Sequence, residues 1–334
     1  MSERLHGPEA IRGVAALVVA LGHGAHLADP VAAADGVFNK GYLAVDLFFM
    51  LSGFVLARTY ETRMPSAAVF FVQRYKRLWG LIAVGVMIGA IFFALIGTPL
   101  RVLLPNLIGG LAILPIIGFA IRLNVPAWSI FFELVANALH ALIFVRIGNA
   151  ALLVLAGTSA ILLLVFARDS ALDVGQGDAF LLGIPRVVMS YTIGIGLWRI
   201  LGDRPRCSPA LAVLAVIALP LAIFAAGLKD GVEADLAFAL LACPIILMAS
   251  LALRPSRAAL FVGALSFPLY AVHYPVQAMV LSTGASLPVA FAASILTGIC
   301  AGIAFDKRSR AAFARCLPDP RAVASEKVAK PSAR

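Results

Sequence analysis

The chain has 334 residues, of which 62% are hydrophobic and 13% charged, and its mean hydropathy is +0.98. Soluble domains run at roughly 45–50% apolar and 25% charged, so the composition excludes them and fits a polytopic membrane protein. The formal net charge of +10 is read as topology, because basic residues of multispan proteins gather in cytoplasmic loops; nucleic acid is not an expected partner.

Taken in chain order, eleven apolar stretches come close to the roughly 20 residues that a span needs: 11–28, 41–57, 79–97, 102–121, 127–145, 150–167, 179–198, 209–228, 235–253, 259–281 and 287–305. Pro8, Glu9 and Arg12 lead straight into the first, with no small-residue cleavage site after it, so it is expected to stay as a span. The segment 58–77 carries Arg58, Arg63, Arg74, Lys76 and Arg77, and 199–206 carries Arg199, Arg204 and Arg206; both are expected on the cytoplasmic side. The segment 168–178 holds Asp169, Asp173 and Asp178 and is expected outside. An odd number of crossings must then separate 78 from 168, so one of the four intervening stretches does not cross. The weakest is 102–121, broken by Pro105, Gly109, Gly110, Pro115 and Gly118, because interrupted backbone at membrane depth must be buried in protein or line a cavity. The expectation is an all-α protein with about ten transmembrane helices, a re-entrant or surface segment at 102–121, and both termini cytoplasmic. Residues 1–305 form the transmembrane domain, and the basic 306–334 is expected to be a disordered tail on the inner face. The cysteines Cys207, Cys243, Cys300 and Cys316 show neither disulfide nor metal-site spacing, and no metal is expected.

Ionisable residues inside spans are costly and therefore functional candidates. Arg12 and His23 are eleven residues apart in the first stretch, about three helical turns, which places them near one face with about 16 Å of rise between them. The expected topology puts His23, Asp46, Glu133, Arg186 and His273, from five spans, in one layer in the outer half of the bilayer, with Trp128 at the interface. A carboxylate beside an imidazole sets its tautomer and raises its basicity, as general-base catalysis at a hydroxyl requires; Asp46 or Glu133 is the expected partner of His23. Ser52 is the evident side-chain nucleophile nearby, but no G-x-S-x-G elbow surrounds it, so direct transfer is favoured. The basic residues of 58–77 form a candidate anion site on the opposite face, since guanidinium groups match phosphate geometry.

Five blocks in this order resemble the acyltransferase 3 family of membrane O-acyltransferases: "EAIRGVAALVVALGH" through His23, "GYLAVDLFFMLSGFVLARTY" (41–60), "FFVQRYKRLWG" (70–80), "PAWSIFFE" (126–133) and "LSFPLYAVHYPV" (265–276). The chain departs from the family pattern at Glu9, where Asp is usual, at Gly80, where Pro often follows the basic block, and at Ala136 and Asn137, where Phe-Tyr often stands. The expected form is stand-alone, without an attached SGNH domain. The resemblance implies transfer of a short acyl group, most often acetyl, from cytoplasmic acyl-CoA to a hydroxyl of an extracytoplasmic or lipid-linked carbohydrate, by a multi-pass protein of a bacterial inner membrane. It implies His23 as general base, oriented by Asp46 or Glu133, with Arg12 guiding the arm or compensating charge. Arg58, Arg74, Lys76 and Arg77 would hold the CoA phosphates; His273, Arg186, Ser52 and Trp128 would face the acceptor. The competing class is a transporter or flippase of an anionic substrate that uses the buried charges as a proton relay.

Overall fold

A computed structural model describes residues 5–31, 39–115, 121–168, 171–228 and 231–316. Among them, ten helices are long and apolar enough to cross a membrane, and no strand is present. They are α1 (His6–Ala28), α2 (Ala44–Tyr60, preceded by the 3-10 turn Gly41–Leu43), α3 (Ala67–Leu95), α5 (Ala127–Leu142), α6 (Asn149–Phe166), α7 (Gly183–Leu201), α8 (Pro209–Gly227), α9 (Val232–Ser250), α10 (Arg257–Leu281) and α11 (Leu287–Phe305). Two shorter helices are α4 (Leu100–Leu111) and α12 (Lys307–Cys316). One end of the bundle carries the arginine-rich turns after α2, α5, α7 and α9 and is called here the basic end; the other is the far end. Ser66, Ser208 and Ser256 cap three of the helices that begin at the basic end, α3, α8 and α10, by accepting a bond from the backbone N–H three residues on, which satisfies donors a helix start leaves orphaned.

The 102–121 stretch does not traverse the bundle. Helix α4 has twelve residues, about 18 Å, too short to span. It begins beyond the far end of α3 and runs back down beside it, so that Trp79 Nε1 donates to the Leu111 carbonyl at 2.7 Å and Tyr75 OH to Ala112 at 3.4 Å. Residues 116–120 lie outside the described residues. By Leu123 the chain is back level with Gly89, where a β-carbon on the glycine would collide with the Leu123 carbonyl. Gly89 is ten residues beyond Trp79, about 15 Å nearer the far end. The segment therefore enters and returns on one side, and α5 then runs antiparallel to α3.

Helix α10 is the centre of the packing, touching α1, α3, α11 and α12. Helices α2 and α10 are buried over 72% of their most apolar stretch, against 22% for α6 and α8; apolar residues exposed on those outer helices, such as Leu153, Phe166 and Leu221, face the expected lipid. Small residues set the closest approaches, as bilayer packing favours. A β-carbon at Gly53 would strike the Tyr191 carbonyl, and one at Gly194 the Met50 carbonyl, so α2 and α7 meet backbone to backbone. Helix α9 contains a π turn at Phe238–Ala242 just before Pro244, whose missing N–H leaves an α-helical bond unmade. The segment read as a disordered tail starts differently: α12 packs on α10 through buried Ala312 and Phe313, while 317–334 lie outside the described residues.

Candidate functional site

The polar side chains of the interior are grouped in tiers along the axis of the bundle. In the tier nearest the far end, α1 and α10 run parallel and His23 meets His273: Nδ1 of His23 lies 2.8 Å from Nε2 of His273, with the rings stacked at 5.1 Å. The tautomer follows from the neighbours. His273 Nδ1 lies 3.1 Å from the Leu269 carbonyl and 3.0 Å from that of Tyr270; carbonyls only accept, so Nδ1 carries the hydrogen. In neutral His273, Nε2 is then the acceptor, His23 Nδ1 donates to it, and the lone pair of His23 is left on Nε2. His273 is wholly buried, whereas His23 is partly exposed, with Tyr274 edge-on to its ring at 5.6 Å.

Deeper, Asp46 on α2 and Arg186 on α7 are both 0% exposed and 2.7 Å apart. Asp46 also accepts from Ser190 at 2.8 Å, and the Arg186 Nη2 donates to the Tyr42 carbonyl at 2.8 Å. The guanidinium lies 5.5 Å from the Trp128 ring and 5.8 Å from that of Tyr42, so aromatic faces replace part of its hydration. The third tier joins Glu133 on α5 to Arg74 on α3 at 3.0 Å and to Ser52 Oγ at 3.1 Å. Ser52 is six residues past Asp46, about 9 Å further along α2. Tyr270 OH and Ser129 Oγ, 2.6 Å apart, lie between the helices of these tiers, with Phe48 edge-on to Tyr270 at 5.5 Å.

These contacts revise the expected site in four places. The partner of His23 is a histidine; both expected carboxylates are engaged elsewhere, Asp46 by Arg186 and Glu133 by Arg74. The five residues do not share one layer: Asp46 and Arg186 lie one tier below the histidines, and Glu133 is bonded a tier below those, beside Ser52. Arg74 is not aligned with the exposed Lys76 and Arg77 but is buried against Glu133, and Arg58 pairs with Asp203 at 2.6 Å. Arg186 and Trp128, expected to face an acceptor, are committed to Asp46 and to each other. Arg12 and His23 do share a face: Arg12 bonds Ser266 at 2.9 Å and the Gly263 carbonyl at 3.0 Å on α10, besides Glu9 at 2.6 Å, so it anchors the basic end of the same helix pair.

Several residues of the site were not singled out in the sequence. Lys40 and Asp235, both buried, are 2.9 Å apart, and Asp235 also accepts from Tyr42 OH and the Leu172 N–H, tying three far-end segments over Arg186. Toward the basic end, Asn137, His140 and Tyr191 are buried, and none of their side-chain polar atoms is hydrogen-bonded among the described residues; the His140 ring sits between Phe70 and Tyr191. The hint available was Asn137 and His140 at i, i+3 on one face of an otherwise apolar span. Among the described residues, no group of three or more His, Cys, Asp or Glu could hold a metal.

Comparison with known proteins bears on the family. The model of an acyltransferase domain family, acyltransferase 3, matches residues 5–306. A curated relative, "Protein 2 in picA locus" of Rhizobium radiobacter, is 33% identical over 189 residues, covering 48% of this chain and 93% of its own. No solved structure matches.

Proposed function

Since the chain belongs to the acyltransferase 3 family, and so is a multi-pass membrane acyltransferase, we propose that it moves a short acyl group, acetyl in the simplest case, from acyl-CoA on the cytoplasmic side to a carbohydrate hydroxyl on the other, in a bacterial inner membrane. The observation that carries this reading is the His23–His273 pair, which leaves one imidazole lone pair, His23 Nε2, on a partly exposed ring. The acceptor O–H gives its proton to His23 Nε2 as its oxygen attacks the thioester carbonyl. The imidazolium so formed is held by its Nδ1–H bond to His273. When the C–S bond breaks, the proton passes from His23 to the CoA sulfur, so the base is restored and no covalent enzyme intermediate is needed.

The positive-inside rule assigns the basic end to the cytoplasm and therefore to the donor. Lys76 and Arg77, exposed on α3 and close in sequence to Arg74, are the phosphate-binding candidates. From there the acyl arm runs past the Asn137, His140 and Tyr191 tier and past Ser52, Glu133 and Arg74 toward the histidines. Arg74 on this reading shapes the conduit through Glu133.

Radiolabelled acetyl-CoA given to purified protein tests the reading. The wild type should consume it, by transfer or slow hydrolysis, and His23→Ala should lower kcat by about 10²–10⁴-fold, the usual share of a general base, without loss of folded protein. Lys76→Ala with Arg77→Ala should raise the apparent KM for acetyl-CoA and leave kcat nearly unchanged. A transporter would leave the thioester intact, and full turnover by well-folded His23→Ala would remove His23 from the chemistry.

A further inference from the structure

Beside the histidine pair, at the far end of the bundle, the structure holds a cavity of about 580 Å³, within the roughly 300–1,000 Å³ of small-molecule sites. Its walls are of two kinds. Phe92 and Phe93 of α3, Leu281 of α10 and Leu287 of α11 give an apolar side, next to outward-facing Leu95, Ile96 and Val289, which are 74%, 58% and 54% exposed. The other side is polar, with Arg122 and Tyr274. Arg122 also borders a narrower cleft with Trp128 and Phe180. Its guanidinium bonds the neutral Gln176 amide at 2.6 Å and makes no ion pair among the described residues. Tyr274 is half-buried, makes no hydrogen bond among the described residues, and its ring is the one set edge-on against His23.

From this geometry we infer that the cavity is the acceptor site and that its ligand is an anionic, lipid-anchored acceptor: a phosphate-class group at Arg122, a hydrocarbon chain leaving along Phe92, Phe93, Leu281 and Leu287 into the bilayer, and the reacting hydroxyl reaching His23 past the Tyr274 edge. Arg122 gives a hydrogen bond to a neutral amide and meets the Asp173 carboxylate only through longer-range attraction, which leaves its guanidinium able to donate charge-assisted bonds to a phosphate. A neutral soluble sugar would leave the charge of Arg122 and the hydrocarbon path toward the bilayer unused, and a free anion would use only the first. The word acceptor rests on the acyl-transfer reading above; binding of the anionic amphiphile does not.

The test is a binding measurement on the full-length protein in a neutral maltoside detergent, free of phosphate, with thermal unfolding as readout and decyl phosphate, inorganic phosphate and anionic versus zwitterionic lipid as probes. Decyl phosphate should raise Tm saturably in the wild type and in Arg101→Gln, a far-end arginine outside the cavity. Arg122→Gln should weaken the apparent affinity by about tenfold or more, with Arg122→Lys recovering part of it. Phe93→Ser should weaken decyl phosphate while its own Tm shows that the fold is kept. Inorganic phosphate as effective as decyl phosphate would overturn the lipid anchor, and equal affinity in Arg122→Gln and wild type would overturn the site. Binding as described in a protein that leaves acetyl-CoA intact would instead fail the acyl-transfer reading and keep the amphiphile site.

Discussion

His23 meets His273 through one hydrogen bond and keeps its other ring nitrogen and part of its surface open, whereas Asp46 and Arg186, one tier deeper, are wholly buried and turn nearly every polar atom on each other, Ser190 and Tyr42. Both pairs join two transmembrane helices at the far end. The neutral pair leaves a lone pair for chemistry and costs little to bury. The charged pair spends all of its polar atoms but Arg186 Nη1 on such bonds, and its value lies in holding α2 against α7. Buried ionisable residues in one membrane protein thus divide into reagents and fasteners according to what their second contact is.

The largest expected effect falls on the fastener. Arg186→Met leaves Asp46 buried with one hydroxyl donor, and breaking a buried ion pair in this way costs about 3–5 kcal/mol; thermal unfolding in detergent should show a severe loss. Asp46→Leu combined with Arg186→Met removes both charges and should regain much of the stability. If the single variant is as stable as the wild type, the contrast between the two pairs collapses.

A smaller effect, on activity alone, is expected at the partner of the base. His273→Phe removes the acceptor for His23 Nδ1–H and should lower kcat about a hundredfold, the low end of a general-base contribution. His273→Gln offers a carbonyl oxygen to the same hydrogen and should retain about ten times more activity than Phe. Equal rates in the two variants would mean that His273 packs rather than orients. The smallest change is Ser266→Ala, which removes one acceptor from Arg12 and should cost about 0.5–1.5 kcal/mol in unfolding measurements, with kcat unchanged.

The spans were legible because apolar runs of about 20 residues have few other uses, and the break at 102–121 because Pro and Gly cluster there; the description as a helix that dips and returns needed the Trp79 and Leu123 contacts. His23 and His273 stood out as polar residues in apolar helices. What the sequence does not carry is rotation about each helix axis, which decides that Asp46 turns to Arg186, 140 residues away, and Glu133 to Arg74. Depth alone placed Asp46 near His23, and depth was close to correct. Glu133 was misplaced because α5 starts below the end of α3, at the level of the returning segment, so counting from Trp128 as an interface residue set it too high. Asn137 stood out only as a departure from the family pattern, and His140 and Tyr191 not at all, until burial and missing partners distinguished them.

The parallel pairing of α1 with α10, fastened by Arg12 to Ser266 near one end and His23 to His273 near the other, has a consequence for biosynthesis. The first helix to enter the membrane finds its main partner only after some 250 further residues have been made, so through most of translation His23 waits without His273, and Arg12 has Glu9 on its own helix but neither Ser266 nor the Gly263 carbonyl. Contacts so distant in sequence form late and slowly. A nascent chain cut short before α10 would therefore expose a first helix whose polar face lacks its α10 partners, a mark by which quality control can tell an unfinished chain from a complete one.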